Sequence, residues 1–304
     1  MKKMNNPNTF LIGVQKAATT SVFNWLRQHP EICAPLAMKD LAFFTRPMFY
    51  EEKGIDFLLK HYENCKSSQK IKLQGSVHYI FFEDALRRIK SFNPDAKFIL
   101  ILRQPVDRAI SGFKYARKFN YENLNFEDAV EKETQRIQSE DLRIISECTY
   151  VSHGYYAYQI KRFLKYFEKN QLKILLYEDV KDSPEKITRE LYEFLGVDPK
   201  FNPEFTAYNK TGSLKSKTIQ KILFGDHLIK KILVRMISSI ITEEQMAKLR
   251  WKLIHINTSN KEDNYEISQD LIDRLSANFE ADITELEQLI DRDLSHWKQQ
   301  ITIK

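Results

Sequence analysis

A chain of 304 residues, 42% hydrophobic and 29% charged, has enough apolar material for one sizeable core, and its composition is too ordinary for a disordered protein. The formal charge of +6 and a pI near 8.9 suit an anionic ligand, but no Lys/Arg block with interleaved aromatics makes nucleic acid an expected partner. Cys33, Cys65 and Cys148 are widely spaced, form no CxxC and sit beside no histidine, which excludes a zinc pattern and leads us to expect free thiols in a reducing compartment. The opening "MKKMNNPNTFLIGV" has too short an apolar run for a signal peptide, and no window approaches the roughly 18 apolar residues of a membrane span. The expectation is a cytoplasmic protein of bacterial style.

In chain order, the first apolar run is "TFLIGV" (Thr9 to Val14), followed by the helical pattern "TTSVFNWLRQH". A second run, "IKLQGS" (Ile71 to Ser76), precedes "FEDALRRIKSF"; a third, "KFILILR" (Lys97 to Arg103), precedes "VDRAISGFKYARKF". Then come "YYAYQIKRFLKYFEK", at helical spacing, and a fourth run, "QLKILLYED" (Gln171 to Asp179). Short runs bounded by polar loops read as buried strands, and their alternation with helices predicts a parallel sheet with helices on its faces. After the loop "DPKFNPEF" the strand signals fade. The stretch 217–241 is apolar and basic at helical spacing, which fits either a helix packed on its own domain or one lying on a membrane surface. The segment 268–298 opens on a candidate N-cap, Ser268, and carries an amphipathic pattern expected to wrap back onto the core.

The chemistry is concentrated at two strand ends. "GVQKAATTS" passes from strand to helix, so backbone N–H groups and the positive end of the helix point at one spot, as in a phosphate-binding loop. It departs from GxxxxGK[ST]: Ala18 and Thr19 occupy the positions of the second glycine and the lysine, and Lys16 lies inside the loop. Taken alone, Thr19, Thr20 and Ser21 also fit an N-cap cluster beside a solvated lysine. The second strand end, "KFILILRQPVDRAISGF", places Arg103 at its tip and Ser111 on the next helix, where a guanidinium fork and a hydroxyl suit another phosphate. Two anion sites at strand ends imply a ligand with two separated phosphates.

The pair "GVQKAATTS" and "LILRQPVDRAIS" resembles the 5′-phosphosulfate loop and the 3′-phosphate motif of the sulfotransferases that use 3′-phosphoadenosine 5′-phosphosulfate (PAPS), with the carbohydrate and heparan sulfate branch the most similar. "KDLAFF" (Lys39 to Phe44), "GYYAYQIKRFLKYF", "YNKTGSLKSK" and "LIDRDLSHW" are also similar to family patterns, so the likeness runs along nearly the whole chain. It implies a P-loop-like three-layer α/β fold in a single domain, residues 1–304, with an α/β core over about 8–197, a helical part over about 198–304 and a nucleotide-covering loop near 208–217.

The resemblance further implies sulfuryl transfer from PAPS to a hydroxyl or amine, by in-line displacement and without a metal ion. Gln15, Lys16, Ala17, Ala18, Thr19, Thr20 and Ser21 would hold the 5′-phosphate, Arg103 and Ser111 the 3′-phosphate, and Lys215, Ser216 and Lys217 would close over the nucleotide. Lys16 would meet the charge that grows on the leaving phosphate. The branch's catalytic glutamate falls on Asp40, whose side chain is shorter by one methylene, about 1.5 Å of reach. His78, in "QGSVHYIFF", is the rival base; Gln74, Gly75 and Val77 there replace the glutamate, lysine and proline of many relatives. Lys39, Phe43, Phe44, Ser76, Tyr79, Tyr155 and Tyr156 are candidates for contact with an acceptor, either a glycan or a small alkaloid-like metabolite. Rival classes are a nucleotide-binding relative without catalysis, a P-loop kinase or other NTPase, and a basic module that binds acidic glycans.

Overall fold

The computed structural model of the chain describes residues 6–205 and 265–299, together with Gln245. Five strands form one sheet: β1 Thr9–Gly13, β2 Ile32–Cys33, β3 Ile71–Gly75, β4 Lys97–Leu102 and β5 Leu172–Leu176. Their order is β2-β3-β1-β4-β5, and every pairing is parallel. Parallel neighbours need long crossovers, and helices supply them. The described helices are α1 Thr19–Leu26, α2 Gly54–Lys60, α3 Glu83–Phe92, α4 Pro105–Lys118, α5 Phe126–Glu131, α6 Glu133–Ile137, α7 Leu142–Glu147, α8 Tyr156–Phe163, α9 Tyr177–Asp182, α10 Pro184–Leu195 and α11 Gln269–Ile290. The parallel α/β architecture expected from the alternating pattern is therefore the one observed.

β1 and β4 read as near-continuous apolar runs because both faces of each are covered; Phe10, Leu11, Ile12 and Ile99 are fully buried, and β3, though it carries Lys72 and Gln74, is buried along its whole length. Phe98 packs on Phe163 of α8 and on Phe167, with ring centroids 4.9 and 4.4 Å apart. The expected fourth strand is shorter than its apolar run: β5 stops at Leu176, and Tyr177 opens α9. Glu178 and Asp179 sit in that first turn, where acidic side chains favour a helix start.

The expectation of three free thiols is corrected. Cys33 and Cys65 are disulfide-bonded, with Cα atoms 5.7 Å apart, and only Cys148 is free and buried. The excursion between them, a sequence separation of 32, leaves the sheet at β2 and returns beside it: Gln69 Nε2 donates to the Ile32 carbonyl at 3.0 Å and Ile71 N to the Glu31 carbonyl at 3.1 Å. The bond fits an oxidising environment better than the reducing one expected from cysteine spacing. Among the described residues no helix is long and apolar enough to cross a membrane. The stretch 217–241 lies outside the described residues.

The C-terminal segment does wrap back, as its pattern predicts. Ser268 caps α11 by accepting from Leu271 N at 3.2 Å. Asp282 of α11 accepts from Ala157 N at 3.1 Å and Tyr158 N at 3.3 Å, so it caps α8, and burial raises its carboxyl pKa. Beyond α11, the carbonyl of buried Trp297 accepts from Gln104 Nε2 at 3.1 Å, while its indole N–H donates to Glu178 at 3.1 Å. Gly154 lets α11 approach the start of α4: a Cβ there would lie 2.7 Å from the Phe279 ring and 3.0 Å from Pro105.

Two outcomes follow from this packing. Gly154→Ala should lower stability by about 1–3 kcal/mol, the usual cost of overpacking, read as a lower urea midpoint at unchanged slope. Thiol titration of the denatured chain without reductant should find one thiol, Cys148, and three after reduction; three in both conditions would remove the disulfide.

Candidate active site

β1 lies between β3 and β4, so the crossovers on its two sides diverge and leave a crevice beyond its carboxyl end. The loop 14–18 occupies that crevice. Its first N–H, from Val14, donates to the Ile101 carbonyl at 2.9 Å. Lys16 and Ala18 take left-handed backbone conformations, φ 72° and 57°, which cost alanine- and lysine-type residues energy and persist only where the surroundings impose them. Ala18 stands at the N-cap of α1 and has no side chain to cap it. The first-turn N–H groups, those of Thr19 and Thr20 among them, have no intrahelical acceptor and add to the positive end of the helix.

Cationic groups converge on the loop. Arg103, just past β4, donates from Nη1 to the Lys16 carbonyl at 3.1 Å, and its guanidinium lies 4.7 Å from the Tyr177 ring centroid. Tyr156 Oη donates to the Arg103 carbonyl at 2.7 Å, and Asp107 stands 4.0 Å from Nη2. Lys16 Nζ lies 4.9 Å from the Tyr115 ring centroid. Its pKa is pulled down from 10.5 to about 8, first by desolvation, then by Arg103 and Lys118, with Glu147 pulling the other way. An anion placed beside such a lysine would favour its charged form. Ser111, buried, lies on the second turn of α4.

On the β3 side, His78 Nε2 is 3.5 Å from Glu147 Oε1, and Glu147 Oε2 accepts from Gln15 Nε2 at 2.7 Å. Asp40, at φ 63°, is tied by its N–H to the Gly75 carbonyl at 2.7 Å and by Oδ1 to the buried Lys39 ammonium at 2.5 Å; its side chain is 47% exposed. Ser76 is buried at the end of β3, its N–H bonded to the Leu11 carbonyl. Tyr155 is half-buried against Phe279.

Four aromatic candidates for acceptor contact are core residues instead. Phe43 and Phe44 are fully buried in edge-to-face packing with each other, and Phe44 also packs on Phe10 and Tyr79. The Tyr79 hydroxyl donates to the Leu41 carbonyl and accepts from Gln74 Nε2 at 2.9 Å, while that of Tyr156 is spent on Arg103. None of these rings has an open face. Lys215, Ser216 and Lys217 lie outside the described residues.

A family model described as a sulfotransferase domain matches residues 6–247. The chain belongs to the sulfotransferase family. The match bears out the resemblance to the PAPS-dependent members read from the two strand ends. A solved sulfotransferase from Alicyclobacillus acidocaldarius is similar at 26% identity and a TM-score of 0.71, covering 97% of this chain and 99% of that one. Mouse bifunctional heparan sulfate N-deacetylase/N-sulfotransferase 4 is 29% identical over 204 residues, and human bifunctional heparan sulfate N-deacetylase/N-sulfotransferase 3 is 30% identical over 210. Each alignment covers 64% of this sulfotransferase and only 23% of the longer relative.

Tyr115, Lys118 and Glu147 lie beside the candidate site without having stood out in the sequence. Ser111, Tyr115 and Lys118 are spaced i, i+4, i+7 and so share one face of α4; that spacing was the available signal. Glu147 had none, since its partners Gln15 and His78 are distant in sequence.

An anion seated against Lys16 stabilises its charged form and raises its pKa above the free value of about 8. Affinity for adenosine 3′,5′-bisphosphate should therefore be level below pH 8 and fall as pH rises through 8, by up to tenfold per unit. Calorimetry in buffers of different ionisation enthalpy should register proton uptake on binding near pH 8, and Lys16→Met should remove both effects.

Proposed function

We propose that this sulfotransferase moves the sulfuryl group of PAPS, in line, to a hydroxyl or amine of a glycan-class acceptor, with Lys16 stabilising the leaving phosphate and His78 receiving the acceptor's proton. The observation that carries this reading is the convergence of Lys16, Arg103 and Lys118 on one strand-to-helix loop at the switch point of a parallel sheet. The donor nucleotide supplies an activated sulfuryl group and, at departure, a phosphate of growing negative charge.

The residues fit such a ligand. Loop N–H groups and the hydroxyls of Thr19, Thr20 and Ser21 would hold the 5′-phosphate, with Lys16 aimed at its bridging oxygen. The Arg103 guanidinium, already oriented by the Lys16 carbonyl and the Tyr177 ring, would take the 3′-phosphate with Ser111. Its Nε is buried and makes no hydrogen bond to the described residues, so a further acceptor is called for. A sulfuryl group carries less charge than a terminal phosphate, so these cations supply the neutralisation and the reading includes no metal ion. Residues 1–304 would form one domain, with 208–217 covering the nucleotide.

His78 is favoured over Asp40 as the base because the Asp40 oxygen Oδ1 is held by Lys39, whereas His78 Nδ1 makes no hydrogen bond to the described residues; that atom is buried, so the reading requires acceptor entry to uncover it. The glycan class rests on the match to relatives named for heparan sulfate; a small metabolite is the other acceptor class to screen.

A thermal-shift comparison tests the donor. Adenosine 3′,5′-bisphosphate at a hundredfold excess over its dissociation constant should stabilise the fold by about 2.7 kcal/mol, whereas ATP with magnesium should do far less; the opposite ranking returns the loop to the kinase class. With PAPS and an acceptor, Lys16→Ala should abolish turnover while leaving weakened nucleotide binding. In single-turnover measurements His78→Ala should slow transfer at least about a hundredfold and Asp40→Asn much less. The reverse ranking would make Asp40 the base, and no effect from either would remove both.

A further inference from the structure

Glu147 ends α7, outside both strand-end motifs, and its two carboxylate oxygens face different parts of the site. Oε2 accepts from Gln15 Nε2 at 2.7 Å, and Gln15 immediately precedes Lys16 in the phosphate loop. Oε1 lies 3.5 Å from His78 Nε2, on the chain that follows β3. The His78 side chain is 9% exposed, and its other ring nitrogen, Nδ1, is the buried atom without a partner among the described residues.

The neighbouring histidine does not compete for Nε2. His153, whose ring centroid is 5.6 Å from that of His78, turns its own Nε2 to the Ile145 carbonyl at 3.1 Å. Burial, then the positive charge of Arg108, then His78 push its pKa well below the usual histidine value, so it stays neutral. Glu147 supplies the negative charge at this face.

A carboxylate only accepts hydrogen bonds. A neutral imidazole that turns Nε2 toward one carries its hydrogen there and keeps the lone pair on Nδ1. We infer that Glu147 is a positioning residue that bridges the two halves of the site: it fixes His78 in the Nε2–H tautomer, leaving Nδ1 as the proton-accepting atom, and through Gln15 it connects the ring to the donor loop. This rests on the proposed role of His78. As the bond from acceptor oxygen or nitrogen to sulfur forms and the bond from sulfur to the phosphate oxygen breaks, the acceptor's proton passes to Nδ1, which is buried in the free protein and is uncovered as the acceptor seats. The resulting imidazolium faces the Glu147 carboxylate. Nucleotide seated against Lys16 would perturb Gln15, then Glu147, then the His78 ring.

The test needs no acceptor. Long-range proton–nitrogen spectra of the full chain labelled at its histidine rings are recorded without and with saturating adenosine 3′,5′-bisphosphate, and His78 is assigned among the seven histidines by its loss in His78→Gln. The wild type should show a proton on Nε2, a pyridine-like Nδ1, and a shift of both resonances when nucleotide binds. Glu147→Ala should mix the tautomers and lose the nucleotide-dependent shift. Glu147→Gln, equal in size and therefore the safer variant for folding, should move the hydrogen to Nδ1: with its oxygen held by Gln15, its amide N–H donates to Nε2. A wild-type ring protonated on Nδ1, or a Glu147→Gln ring that keeps both tautomer and response, overturns the bridge. Calorimetry on the same samples separates the two failures: if the wild type does not bind the bisphosphate, the proposed function falls and takes this inference with it; if it binds and His78 behaves alike in all variants, only the bridge falls.

Discussion

The site depends on the carboxyl end of one buried strand. The chain after β3 is fastened to β1 by Ser76 N to the Leu11 carbonyl at 2.9 Å and Ile80 N to the Ile12 carbonyl at 3.0 Å; the loop after β1 is fastened to β4 by Val14 N to the Ile101 carbonyl at 2.9 Å. Gly13 permits the close approach: a Cβ there would lie 2.8 Å from Ile80 and 3.2 Å from Leu100. These ties hold the backbone of His78, Lys16 and Arg103 on neighbouring strand ends before any ligand arrives. Parallel pairing is what makes this possible, because all five strands deliver their carboxyl ends to the same edge of the sheet.

That convergence has an electrostatic cost, visible in Lys16. Desolvation and two neighbouring cations disfavour its charge, Glu147 offsets part of that, and an incoming anion would offset more. Buried carboxylates elsewhere hold the surrounding frame. Glu133 accepts from Tyr150 N, Val151 N and Ser152 N at 2.7, 2.7 and 2.6 Å, and Glu122 accepts from Arg136 and from the Tyr150 hydroxyl at 2.5 and 3.0 Å. Three backbone donors on one buried acceptor make Glu133 hard to replace, since each orphaned N–H would cost about 1–3 kcal/mol. The segment they fix lies between Glu147 and His153, so the frame positions both ends of the histidine cluster.

Contiguous patterns were readable. The four longer strands, the helices after them and the Ser268 cap are each specified within a few residues, by apolar runs, helical spacing and a short polar side chain. β2 escaped because two residues carry no periodicity, and the Cys33–Cys65 bond because closure of the excursion depends on how far the chain strays from the sheet edge. The burial of the aromatic candidates was not legible for a chemical reason: Phe43, Phe44 and Tyr79 offer the same rings to a core as to a sugar, and only burial separates the two. Lys16 and Arg103 were legible as cations at strand ends. Lys118 and Glu147 were not, because their relation to Lys16 spans the whole length of α4 or several intervening elements.

The far end of the chain completes the site by restricting it. Arg103 is oriented through its guanidinium by the Lys16 carbonyl and the Tyr177 ring, and through its own carbonyl by Tyr156. Its neighbour Gln104 caps α4 by accepting from Asp107 N at 2.8 Å while donating to the Trp297 carbonyl, and the Trp297 indole reaches back to Glu178, next to Tyr177. Trp297 thus grips both elements that aim Arg103 and contributes no chemistry of its own. A guanidinium held this way loses little freedom when a phosphate binds, because folding has already ordered it, and transfer chemistry that relies on positioning benefits most from donors fixed in advance.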